Sequence, residues 1–261
     1  MSAGRAMARR LVRLGELRLL VTWEGGAEPV AGDVIRYVDD VNSRSPLRGL
    51  VEVYVFADAQ SMESHIEAKA ASVGAVMAAR GMLSYHEAWT GIPALYFCRE
   101  VAETHGPGML RALVHHETAH ALLHGALTYY ALPADVEWGD LSVEEAYLLF
   151  SGVKDYEVSL ALRKMELGEY QAPLVDYHVR EATPDVTLVK TILQLLPLLD
   201  LFGGARRRLV EVAREAGLSS HSLTTLSELM SSAGGTLERL AEAVEWYRSC
   251  WPRARGFKQV A

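Results

Sequence analysis

The sequence predicts an α+β protein: strands early in the chain, then an apolar helix and a mainly helical second half. Two observations carry this reading. Short alternating runs rich in β-branched and aromatic residues all fall before residue 100, whereas from about Pro184 the chain reads as four helical segments parted by glycines. Strands that cluster early and helices that cluster late do not make a regular βαβ alternation.

Along the chain, the first twenty residues are rich in Arg and Leu. No apolar stretch with a cleavage site follows them, so they read as a packed or loosely ordered terminal segment and not as a targeting helix. Leu17–Trp23 reads as a strand closed by the Gly25-Gly26 turn, and Asp33–Asn42 has helical spacing. Leu50–Phe56 alternates and reads as a second strand. Ser61–Arg80 is Ala-rich, begins with a Ser-x-x-Ser cap and is expected to be helical as far as Gly81. Ile92–Cys98 is another strand, and Pro93 near its start predicts an edge position.

A turn rich in breakers, 105–108, precedes a helix from about Met109 to His124 that is ended by Gly125. After a loop holding Pro133, Ser142 and Glu145 form a capping box that opens a long helix to roughly Leu167. The final helices are divided at Gly203-Gly204, Gly217 and Gly234-Gly235. The expected organisation is a core over 1–170 with a helical part over 171–261, the two forming one continuous domain in the simplest variant.

Composition narrows the function. Half of the 261 residues are hydrophobic and 23% are charged, as in an ordinary folded protein. A formal charge of −7 argues against nucleic acid as a partner, and the run Arg206–Arg208 reads as the solvated face of a helix. The most apolar stretch, Leu188–Phe202, is short and broken by Lys190, Gln194, Pro197 and Asp200, so no membrane span is expected. Cys98 and Cys250 make neither a disulfide framework nor a cysteine metal site, which points to a reducing cytoplasm.

The chemistry lies in residues 115–125, HHETAHALLHG. His116 and His120 stand at i and i+4 of the expected helix, offset by ~40° and ~6 Å of rise, so both imidazoles can serve one Zn²⁺. Glu117 follows the first ligand, where its carboxylate reaches a water on the metal without itself ligating. Met109, Ala112, Leu113, Ala119 and Leu123 fall on the same side as the pair, which turns it into the fold. Two bare imidazoles there would cost desolvation unless bonded. His124, eight residues on, is ~12 Å from His116 and too far to share an ion; it suits the helix C-terminus instead. His115 points away from the pair, as a surface residue or a supporting one.

With HETAH at 116–120 and the strand PALYF at 93–97 before it, the sequence resembles a zincin metallopeptidase of the gluzincin-like kind. The metzincin pattern, with a further Gly and third His, is not matched. The resemblance implies a zincin-like mixed sheet, an active-site helix beneath it, and a peptide or protein substrate laid by β-augmentation along Ala94–Phe97. It also implies a third zinc ligand, an acid on the next long helix, Ser142–Leu167. Asp155 is the preferred residue, because Asp155-Tyr-x-aliphatic resembles a pattern of predicted metallopeptidases, although Ser151 and Ser159 stand where those carry a small amide residue. Glu157 is the alternative, and Glu145 follows it. Glu144 and Glu145 are also explained by capping and the helix dipole. Tyr129, Tyr130, Tyr156 and His178 are unranked candidates for the oxyanion donor.

The implied activity is hydrolysis of a peptide bond by metal-activated water with Glu117 as general base. A zincin-like metal-binding regulatory or interaction protein is the alternative, and a metal-free helical protein with a chance motif is a third. Oligomeric state is not legible.

Overall fold

The computed structural model describes residues 7–75 and 81–251. Its first half contains β1 (Met7–Leu14), β2 (Leu17–Glu24), α1 (Glu28–Asn42), β3 (Gly49–Phe56), α2 (Ala59–Ser72), β4 (Ser84–Glu87), β5 (Ala94–Cys98), α3 (Arg99–His105) and α4 (Pro107–His124). A 3-10 turn at Leu127–Tyr130 leads on to α5 (Val143–Lys164), α6 (Ala172–Glu181), α7 (Leu188–Leu195), α8 (Gly203–Glu215), α9 (Ser220–Ser232) and α10 (Thr236–Cys250). A five-stranded mixed sheet followed by a mainly helical part is the α+β architecture the sequence predicts. Among the described residues, no helix is long and apolar enough to cross a membrane.

The sheet order is β1-β2-β3-β5-β4. β1 and β2 form an antiparallel hairpin closed by Gly15-Glu16, with Gly15 at φ 63, a conformation glycine adopts without a Cβ penalty. Within the terminal segment Met7–Leu14 is therefore a full strand, which its arginines disguise. β2 and β3 pair in parallel across α1, a single βαβ unit, and β3 and β5 are also parallel. β4 runs antiparallel to β5 and closes the sheet.

This order corrects the edge assignment. β5 lies between β3 and β4, so its backbone is paired on both sides, and Pro93 sits just before the strand, where its missing N–H disturbs no ladder. Among the described residues the edge on that side is β4, a strand of four residues, too short to show a period. The expected helix from Ser61 to Arg80 also shifts: α2 starts at Ala59, capped by Asp58, whose carboxylate accepts from Ser61 N, and the chain turns at Gly74 with φ 76. The rest of that expectation, residues 76–80, lies outside the described residues.

Two compact units divide the chain. The first takes the sequence as far as Ala131 together with Ala161–Leu174, and the second takes Leu132–Leu160 and the chain from Val175. In the first, α4 packs on α1, α3, β4 and β5. Every residue from Ala112 to Ala121 is buried, so α4 is a core helix covered on all sides. Register then decides which β4 side chains face it. Ser84 and His86 pair with Phe97 and Leu95 on the α4 side, while Tyr85 and Glu87 point to the other face, where Lys69 of α2 meets Glu87 at 2.6 Å.

The second unit is built on α5, whose capping box is present: Glu145 Oε2 accepts from Ser142 N at 2.8 Å, and Ser142 Oγ from Glu145 N at 3.2 Å. Its core joins Leu149, Phe150, Val153, Leu193, Leu209 and Trp246. Gly152 lets α5 approach α7 closely, since a Cβ there would stand 3.2 Å from Lys190 Cα.

Candidate metal centre

The helical spacing of HETAH brings the two imidazoles together. His116 Nε2 and His120 Nε2 are 3.2 Å apart, their rings edge to face at 76°, with each residue at most 8% exposed. Asp155, on α5 and 7% exposed, completes a triad in which one ligand atom from each residue lies within 4.8 Å of the others.

These donors fit a divalent transition metal. Tetrahedral bonds of ~2.0–2.1 Å to two nitrogens set those nitrogens about 3.3 Å apart, close to the separation found. Two imidazoles and one carboxylate suit zinc better than calcium or magnesium, which prefer oxygen. An ion held by these three side chains in tetrahedral geometry would keep one position for a further ligand.

Glu117, 8% exposed, accepts a short hydrogen bond at its Oε1 from Ser84 Oγ at 2.6 Å. His86 stacks on His120 with ring centroids 5.7 Å apart and planes within 10°, and its Nδ1 is 2.6 Å from the Tyr130 hydroxyl. His120 Nδ1 is 3.1 Å from His124 Nδ1, and Tyr129 packs edge-on against the His124 ring at 4.8 Å. Ser84, His86 and the His120–His124 contact were missed in the sequence because β4 is so short and because eight residues of helix separate His124 from His116. The i, i+4 relation between His120 and His124 was the available signal.

Other candidate residues are held elsewhere. Glu157 Oε1 is 2.6 Å from Arg239 Nη1, and its carboxylate also accepts from Thr236 Oγ1 at 2.9 Å. Glu145 accepts from Tyr247 at 2.8 Å in addition to its capping bonds. His178 contacts Gln194 at 3.1 Å, and Tyr156 is buried in the second unit's core. His115 is fully buried, contrary to a surface position. It bonds Asp40 at 3.2 Å beside Arg111, and burial pulls its pKa down to about 4. Asp155 has a second partner, Lys190 Nζ, 3.4 Å from its Oδ2.

No family model, curated protein or solved structure matches this chain.

Proposed function

We propose that the chain is a zinc-dependent metallopeptidase of zincin type, cytoplasmic, acting on a peptide or protein and needing neither nucleic acid nor membrane. The observation that carries this is the buried His116-His120-Asp155 triad with Glu117 in the same helical turn. Residues 1–170 are read as the zincin-like core and 171–261 as an added helical part.

In this reading His116, His120 and Asp155 hold the ion. Zinc so held supplies Lewis acidity, lowering the pKa of a water and polarising the scissile carbonyl. Glu117 is the side chain that would take a proton from an attacking water and return it to the leaving amine. Ser84 keeps the Glu117 carboxylate aimed, through its 2.6 Å bond. Tyr130 and His86, paired beside His120, are the groups best supported as donors to the developing oxyanion. A substrate strand is proposed to add to β4, the edge strand nearest the histidine pair, in place of the interior Ala94–Phe97.

A base beside a metal-binding pair favours hydrolysis over the alternative of a metal-binding regulatory protein. The test compares cleavage of a peptide library by the zinc-loaded wild type and by Glu117→Gln. The substitution is expected to keep zinc bound and to lower turnover by about 10²–10⁴-fold. Equal cleavage by both proteins would remove Glu117 as the base, and cleavage by neither would remove the enzymatic reading.

A further inference from the structure

We propose that His124 is a positioning residue for the metal centre: its Nδ1 accepts a hydrogen bond from His120 Nδ1–H and so keeps His120 Nε2 bare for the ion. This rests on the triad reading above and adds a residue to it.

A neutral imidazole has one N–H donor and one bare acceptor nitrogen. A ligating nitrogen must be the bare one. In His120 the nitrogen facing His116 is Nε2, so its proton belongs on Nδ1. Nδ1 of His120 faces Nδ1 of His124 at 3.1 Å, and a single hydrogen fits between two ring nitrogens at that distance. His120 then donates, His124 accepts, and the proton of His124 sits on its Nε2. The tautomer of one ring dictates that of the next.

The surroundings suit such a fixed arrangement. His124 is 1% exposed, which limits competition from solvent for the bond, and Tyr129 packs edge-on against its ring. Metal-ligating histidines ordinarily donate their second N–H to a carboxylate, a backbone carbonyl or water. Here a third imidazole of the same helical face takes that part, giving a ladder over positions i, i+4 and i+8. His124 neither ligates nor touches substrate in this account; it acts through His120.

Zinc affinity, measured on the full chain by competition with a chelating dye, tests the inference. Three proteins are compared: wild type, His124→Leu and His124→Asn. Asn can place an acceptor oxygen near the position of Nδ1, whereas Leu fills the space without one. Loss of the acceptor is expected to weaken zinc binding by about 10–100-fold, with most of the loss recovered in the Asn variant. Wild-type affinity in the Leu variant, or an Asn variant as weak as the Leu variant, overturns the proposal.

If the Leu variant does not fold, ring-nitrogen NMR of the zinc-loaded wild type still decides. Protons on His120 Nδ1 and His124 Nε2 are required, and either proton on the other nitrogen overturns the assignment. A wild type that binds no zinc removes the triad reading as well. Tight wild-type binding that is indifferent to His124 removes only this inference.

Discussion

Ser84 Oγ donates to Glu117 Oε1 at 2.6 Å, tying the edge strand of the sheet to the acid that follows the first histidine of the pair. A short O–H···O⁻ bond fixes the carboxylate rotamer, and a base must be held on target to move a proton efficiently. Ser84→Ala is expected to lower kcat about tenfold while leaving zinc stoichiometry unchanged, roughly the cost of losing one hydrogen bond to a charged group. Steady-state kinetics with a metal assay checks both parts; loss of zinc would assign Ser84 to folding of the site instead.

The two acids of α5 that compete as third ligand separate by experiment. Asp155→Asn is expected to weaken zinc binding by at least about tenfold with the fold kept. Glu157→Gln is expected to leave zinc binding intact and to lower unfolding free energy by about 1–3 kcal/mol, because it breaks the largely buried pair with Arg239. Chemical unfolding and zinc competition on both variants give the comparison, and the opposite pattern makes Glu157 the ligand.

Much of this was legible in the sequence, and the parts that were not have physical causes. HETAH stood out because helical spacing alone faces two imidazoles toward one point. The Ser142–Glu145 cap was equally readable, being a local pattern with local bonds. β1 was hidden because a strand on the sheet edge, with most residues exposed, needs no alternating apolar face. β4 was hidden by its length, and with it went Ser84 and His86. Proline suggested that 92–98 was an edge, yet only long-range pairing decides strand order, and β4 covers that side.

Gly152 provides a test of helix packing independent of the metal. A Cβ at this position would lie 2.8 Å from Leu193 Cδ1 and 3.2 Å from Lys190 Cα, and the backbone atom cannot rotate away. Gly152→Ala is expected to destabilise the protein by about 1–3 kcal/mol despite alanine's better helix propensity. Thermal or urea unfolding checks the sign: a more stable variant would mean that α5 and α7 are less closely packed than described.

Cys98 is fully buried at the end of β5, and burial pushes its thiol up to about 11. The charged form is disfavoured, so at pH 8 only about one thiol in a thousand is thiolate. Cys98 is expected to resist a thiol reagent in the folded protein and to react on denaturation. Peptide mapping identifies the labelled residue; rapid labelling of Cys98 at pH 8 without unfolding would contradict its placement.

His116, His120 and Asp155 are proposed to share one metal ion, and X-ray absorption at the zinc edge together with metal stoichiometry, on the metal-loaded protein, decides whether they do. One zinc per chain is expected, with two imidazole nitrogens and at least one oxygen at ~2.0–2.2 Å, and the bound metal is lost in His120→Ala. A protein that binds no zinc, or one whose zinc environment is unchanged by His120→Ala and Asp155→Ala, would contradict it.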